Sequence, residues 1–153
     1  AILAGAPRND IRRLARIGLL VGQAFQIQDD IIGIFDTQKN IGKSILSDLA
    51  EQKKTLLITH TYSRLTGPHR KKFLHTFNKP KKNYADLVAM RNILIGSGSL
   101  KYGLTEIRRR RQEAESAARR LTMKSRYRKL IAQALFNLFK HSDRIAQDYH
   151  ITL

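Results

Sequence analysis

An all-α fold is predicted for this chain on three observations. Apolar residues recur at helical spacing through almost every segment, and nothing reads as a strand. The breaks between segments are Gly-, Pro- and Ser-containing, at helix-length intervals. At 153 residues and 42% hydrophobic content, the chain is long and apolar enough for one domain with a real core.

The elements follow in order. Asn9 or Asp10 is placed to cap a first helix over about residues 11–35, with Leu14, Gly18, Val21, Phe25 and Ile32 at helical spacing. Residues 36–44 (DTQKNIGKS) are polar with one glycine and read as a loop. Ser47 or Asp48 opens a second helix through Lys54 to Tyr62, burying Leu56, Leu57 and Ile58, and Gly67-Pro68 breaks it. A short helix over 68–77, a turn at NKPKKN and a helix over 84–95 come next. GSGS at 96–99 is a second break. A basic helix covers about 100–121 and a final helix about 125–147, where Tyr127, Leu130, Ile131, Ala134, Leu135, Leu138 and Phe139 form a wide apolar stripe. There is no internal repeat.

Composition excludes several classes. Without cysteine there is neither a disulfide scaffold nor a thiolate metal site, which suits a cytoplasmic protein. No apolar run approaches the roughly 20 residues of a membrane span. The opening AILAGAPRND has neither an initiator Met nor a signal-peptide pattern, and the chain is expected to begin partway through a larger protein. The formal net charge of +17 attracts polyanions: nucleic acid, an anionic membrane surface or phosphorylated metabolites. The basic residues concentrate in RKK at 70–72, KPKK at 79–82, RRRR at 108–111 and the stretch 119–129, blocks that usually form a solvated face.

The chemistry concentrates between Phe25 and Leu57, FQIQDDIIGIFDTQKNIGKSILSDLAEQKKTLL. A helix turns about 100° per residue, so Asp29 shares a face with Gly18, Gly22 and Phe25 before it and Gly33 and Asp36 after it. Asp30 sits one step around, over Gln26. Small residues at 18, 22 and 33 allow close approach of a ligand or another element. Paired carboxylates on an apolar helix are expensive to bury unless a positive group lies between them. A magnesium ion suits them, because it takes carboxylate oxygens while keeping waters and substrate phosphates. Lys43 and Lys53 or Lys54 would then meet phosphate oxygens. A solvated helix end with Asp29 and Asp30 paired to nearby lysines fits the residues equally well. Other motifs fall away. GKS at 42–44 has Thr37 where a phosphate-binding loop needs its first glycine, and no strand precedes it. GSGSLKYG likewise follows no strand. The five histidines lack metal-site spacing, with His60 read as core or surface. Ser44 and Ser47 have no His–Asp arrangement to activate them.

The same block resembles the C-terminal half of the trans-polyprenyl diphosphate synthases, the family of farnesyl and geranylgeranyl diphosphate synthases. FQIQDDIIG is similar to that family's FQ and second aspartate-rich motif, GKSILSDLAEQKKTLL to its GK…D…KKTLL segment, and SGSLKYG to its glycine break before the last helices. The resemblance implies the isoprenoid synthase helical fold, usually dimeric, around an apolar cavity. It implies a Mg²⁺-dependent condensation of isopentenyl diphosphate with an allylic prenyl diphosphate. Carried over by position, Asp29 would ligate magnesium, Asp30 would support it and Asp48 would hold a metal-bound water. Lys43 would bind the allylic diphosphate, with Lys53 also on substrate, and Phe25 and Gln26 would line the prenyl cavity.

Departures from the family pattern are Gly33 in place of the third acid of the DDxxD motif, Ile41 before the Gly-Lys, and the strongly basic C-terminal helices. Asp36 could add charge near Asp29 or only cap the helix end. The family's first aspartate-rich motif lies upstream of the matched segment, so residues 1–153 read as a partial synthase domain, inactive alone. It would act as a homodimer or with a complete synthase. The competing readings are a non-catalytic prenyl-synthase-like subunit and a basic helical module binding nucleic acid through RRRR. No specific nucleic-acid motif stands out.

Overall fold

The computed structural model describes residues 1–36, 49 and 51–153. Its helices are α1 (Arg8–Phe35), α2 (Leu56–Arg64), α3 (Gly67–Asn78), α4 (Tyr84–Gly96), α5 (Ser99–Arg119) and α6 (Ser125–Asp148). There is no strand among the described residues, so the all-α expectation holds. None of these helices is long and apolar enough to cross a membrane.

The centre of the molecule is the pairing of the long helices α1 and α5. Ile17, Leu20, Ala24, Ile27, Ile31 and Ile34 of α1 face Leu100, Leu104, Ile107, Ala114 and Ala118 of α5 in one continuous core. Gly103 makes the close approach possible: a Cβ there would stand 3.0 Å from Leu57 Cδ1 and 3.2 Å from Ile31 Cδ1. The helix α6 packs against both on one side, α2 and α4 close the other, and α3 lies outside α4.

Local chemistry sets the boundaries. Asn83 and Asp86 form a reciprocal capping box that starts α4. The α4–α5 break turns on Gly98, whose φ of 75° is the left-handed conformation glycine adopts without strain. Pro68 sits in the first turn of α3, where its missing N–H is no loss.

Four expectations are corrected. The first helix begins at Arg8 behind Pro7, and neither Asn9 nor Asp10 caps it. Asp10 instead turns inward and accepts hydrogen bonds from the backbone N–H and hydroxyl of Thr122, tying α1 to the α5–α6 turn. The expected helix start at Ser47 or Asp48 lies outside the described residues, but the continuous helix through Lys54 does not form: residues 51–55 are non-helical and α2 starts at Leu56, where Thr55 caps it by accepting from the Ile58 N–H. The α1 residues noted at helical spacing do not form its buried face: Leu14, Val21 and Ile32 are half-buried, and Phe25 and Gly18 are exposed. Apolar residues surround much of this helix, so periodicity admits more than one stripe. In α6 the core begins in earnest at Leu135 and Phe139, while Tyr127 and Leu130 are exposed.

Candidate active site

The helix α1 divides its faces between structure and chemistry. Ala24, Ile27, Gln28 and Ile31 are buried, whereas Phe25, Gln26 and Asp29 are exposed and Asp30 is half-buried. Phe25 keeps 42% of its surface, and nothing lies within 4 Å of a Cβ built at Gly18 or Gly22. The side carrying Gly18, Gly22, Phe25 and Asp29 is thus an open, partly apolar wall with a carboxylate at its end.

Asp30 points around the helix toward a small crevice of ≈ 20 Å³, lined with it by Ile34, Leu49, Lys53, Thr55, Ile58 and Phe77. Asp30 and Lys53, 23 positions apart in sequence, therefore line the same crevice. Lys53 Nζ also pairs with Glu51 at 3.0 Å, both side chains about half exposed. Gln26 Nε2 lies 3.5 Å from Asp30 Oδ1, at the long edge of a hydrogen bond. Lys54 is exposed. Just before these lysines Gln52 has φ 51°, an uncommon left-handed conformation for a non-glycine residue, and its amide reaches the Asn78 carbonyl at 3.4 Å. Lys43 and Asp48 lie outside the described residues.

The acidic end of α1 is held by side chains that sequence reasoning missed. Helix C-termini leave carbonyls without intrahelical partners. Arg91 of α4, itself buried, donates from Nε to the Ile34 carbonyl at 2.6 Å and from its terminal nitrogen to the Asp36 carbonyl at 3.2 Å. Tyr149 donates its hydroxyl to the Phe35 carbonyl at 3.3 Å. Gln28, one residue before Asp29, donates to the Leu138 carbonyl at 2.9 Å and accepts from the Ser142 N–H. Asp36 is the C-cap residue, and its carboxylate pairs with Arg144 at 2.8 Å. Of its two expected roles, the helix-end one holds. A single arginine within the apolar run LVAMRNILI was the one available signal for this clamp.

The RRRR quartet is largely engaged in ion pairs, which leaves little free charge for the competing nucleic-acid reading. Arg109 binds Glu106 and Glu113, Arg110 binds Glu106, and Arg111 binds Glu115 and Asp143 at 3.0 Å. Arg108 donates to the Leu153 carbonyl. Hydrogen bonding from Arg109 holds the Glu106 carboxyl below its ordinary value. The quartet folds along α5 onto its own acids and the neighbouring helix.

The Polyprenyl synthetase family profile matches residues 1–94, which contain α1, the Asp30–Lys53 crevice and most of α4. This chain belongs to that family. Over 94 residues it is 34% identical to the geranylgeranyl diphosphate synthase of Sulfolobus acidocaldarius, covering 61% of this chain and 28% of that one. It is 46% identical over 61 residues to the (2E,6E)-farnesyl diphosphate synthase of Mycobacterium tuberculosis, covering 40% and 17%. The geranylgeranyl pyrophosphate synthetase structure from Pyrococcus horikoshii superposes with a TM-score of 0.76 at 28% identity, over 86% of this chain and 39% of that one. The geranylgeranyl pyrophosphate synthase from Corynebacterium glutamicum, solved with calcium and isoprenyl diphosphate, superposes with a TM-score of 0.71 at 27% identity, over 95% and 43%. The chain spans about a third of the length of the first curated relatives it matches.

Within a polyprenyl synthetase, the open wall of α1 has a chemical test to pass. Its donors are hard carboxylate oxygens, and Asp29 stands on the solvent side, where a cation can retain waters. That donor set suits a hard divalent ion. Among the described residues no group of three or more acids and histidines forms a metal cluster.

Proposed function

We propose that this chain is one wall of a Mg²⁺-dependent prenyltransferase site that condenses isopentenyl diphosphate with an allylic prenyl diphosphate. The observation that carries the reading is the division of α1: Asp29 and Phe25 on an open wall, with Asp30 on the crevice that Lys53 also lines. Membership of the family and the calcium and isoprenyl diphosphate bound by the Corynebacterium relative support it.

In this reading Asp29 and Asp30 would hold the metal, and Asp48 would support it through a bound water. The bound magnesium supplies positive charge against the diphosphate as the allylic C–O bond breaks. Lys43 and Lys53 add fixed cationic charge to the departing diphosphate oxygens. Phe25, with Gln26 beside it, offers an apolar surface to the prenyl chain. The double bond of isopentenyl diphosphate attacks the allylic carbon, and loss of one proton leaves a product five carbons longer. The open side of α1 would be closed by a second acidic wall, so residues 1–153 act as a partial domain, inactive alone, in a cytoplasmic homodimer or beside a complete synthase.

The test is calorimetric titration of the chain with farnesyl diphosphate. Binding is expected with Mg²⁺ present and is expected to vanish with chelator and in Asp29→Asn. Equal binding with and without chelator would refute the metal role. Product formation from isopentenyl and farnesyl diphosphates by the isolated chain would refute its standing as a single wall.

A further inference from the structure

The positive charge that the RRRR quartet does not expose is found at one end of the molecule. The Asp10–Thr122 hydrogen bonds bring the start of α1 against the turn between α5 and α6. Arg8, Arg12, Arg119, Arg120, Lys124 and Lys129 gather on these three segments, all exposed and none in an ion pair with another of the described residues. Arg119, Arg128 and Lys129 line a groove of ≈ 390 Å³ between α5 and α6, in which the nearest acid, Glu115, is engaged by Arg111. Arg128 is occupied in part, donating to the Leu121 and Met123 carbonyls that end the turn.

This surface is not purely cationic. On the solvent side of α6, Tyr127 keeps 44% of its surface and Leu130 59%, next to Arg126 and Lys129; Phe136 farther along is also exposed but lies under the Arg111 guanidinium. Arg126 lies over the Tyr127 ring, 4.6 Å from its centroid, and donates to its hydroxyl, so that ring is covered on one face by a cation. Exposed aliphatic and aromatic groups interleaved with unpaired arginine and lysine match the headgroup–acyl boundary of an anionic bilayer. Clusters of four to eight such cations on an amphipathic helix fit acidic lipid headgroups. Nucleic acid would use the same charge but gives no partner to the aliphatic Leu130, since its recognition rests on stacking and polar contacts.

We propose that the α1 start, the α5–α6 turn and the first half of α6 form a peripheral docking surface for anionic lipid bilayers. The inference stands on this end of the molecule alone and is independent of the prenyl-transfer reading.

The test is co-sedimentation with vesicles of phosphatidylcholine containing about one-third phosphatidylglycerol, against pure phosphatidylcholine. Binding is expected only to the anionic vesicles. The combined variant Arg119→Gln, Lys124→Gln, Arg126→Gln and Lys129→Gln should weaken it at least about tenfold, since each cation contributes near the surface. The control Lys71→Gln, Lys72→Gln, Lys81→Gln and Lys101→Gln, with the same loss of charge elsewhere, should change it little. Leu130→Gln should weaken vesicle binding while leaving binding to a single-stranded RNA oligonucleotide unchanged. Unaltered circular dichroism checks folding in each variant. Equal binding to neutral vesicles, equal loss in both lysine and arginine sets, or indifference to Leu130→Gln would overturn the proposal; the last would make the patch a non-specific polyanion or nucleic-acid surface.

Discussion

Two glycine-to-alanine substitutions should move stability in opposite directions, because two physical effects compete at these positions. Alanine is favoured over glycine inside a helix by about 1 kcal/mol. At Gly22, mid-α1, nothing lies within 4 Å of the added Cβ, so that gain stands alone. Gly22→Ala is expected to raise the thermal midpoint by about 2–3 °C for a chain of this size. At Gly103 the same methyl would meet Leu57 Cδ1 at 3.0 Å, Ile31 Cδ1 at 3.2 Å and Ile27 Cγ2 at 3.7 Å. Leu57 and Ile31 are fully buried, with no free space into which to turn. Overpacking of this kind costs about 1–3 kcal/mol, which exceeds the propensity gain over most of that range. Gly103→Ala should therefore lower the midpoint by about 3 °C, from a net loss near 1 kcal/mol. Differential scanning calorimetry of both variants decides it. A rise for Gly103→Ala as large as that for Gly22→Ala would show that α1 and α5 are not in the close contact described. Because Ile27 and Ile31 flank Asp29 and Asp30, any displacement at Gly103 also reaches the acidic wall.

Arg91→Met keeps the aliphatic stem but strips the donors from the Ile34 and Asp36 carbonyls; the expected loss is about 2 kcal/mol, read as a lower urea midpoint at unchanged m-value. A neutral result would mean that the last turn of α1 does not depend on this clamp. His60 lies half-buried, stacked on Tyr102 with ring centroids 4.2 Å apart and its Nδ1 2.8 Å from Ser99 Oγ. Burial, and then the nearby Arg64 charge, push its imidazole below its ordinary value. The unfolded chain therefore takes up this proton first as pH falls, so the His60 contribution is complete above about pH 7 and declines through pH 6. His60→Gln should flatten the midpoint-against-pH curve between about pH 7 and 5, and an unchanged slope would exclude this histidine as its source.

How much of this was legible beforehand depended on whether a feature was written in neighbouring residues. The breaks at Gly67-Pro68 and GSGS, the capping pair Asn83 and Asp86, and the run SRYRKLIAQALFNLF are local, and the helices they delimit were placed within a few residues. The Asp29–Asp30 pair was equally visible. Its surroundings were not, because Arg91, Gln28 and Tyr149 reach α1 from far along the chain, and spacing carries no trace of such contacts. The start of α1 was misjudged for a related reason. Asn9 and Asp10 look like caps, but Asp10 has a better partner in Thr122, 112 positions away. The pairing within the RRRR block was not legible because charge composition does not reveal it: its acids lie three or four residues before or after, or on α6, and only helical geometry joins them.

The two ends of α1 are held by opposite means, and this bears on how the proposed metal-binding pair, Asp29 and Asp30, would be kept in place. At its start a buried carboxylate, Asp10, accepts from the α5–α6 turn. At its end three carbonyls accept from Arg91 and Tyr149, and the Asp36 carboxylate accepts from Arg144. Between them the core face packs on Gly103, where α5 comes close. Carboxylates that must meet a divalent ion gain nothing from flexibility, since each degree of freedom lost on binding subtracts from the grip. A helix clamped at both ends and pressed along its length presents Asp29 and Asp30 with that cost already met by folding. The α1–α5 core, the Arg91 clamp and the acidic pair are thus one arrangement, and disturbance of the first two should weaken cation-dependent diphosphate binding without touching either carboxylate.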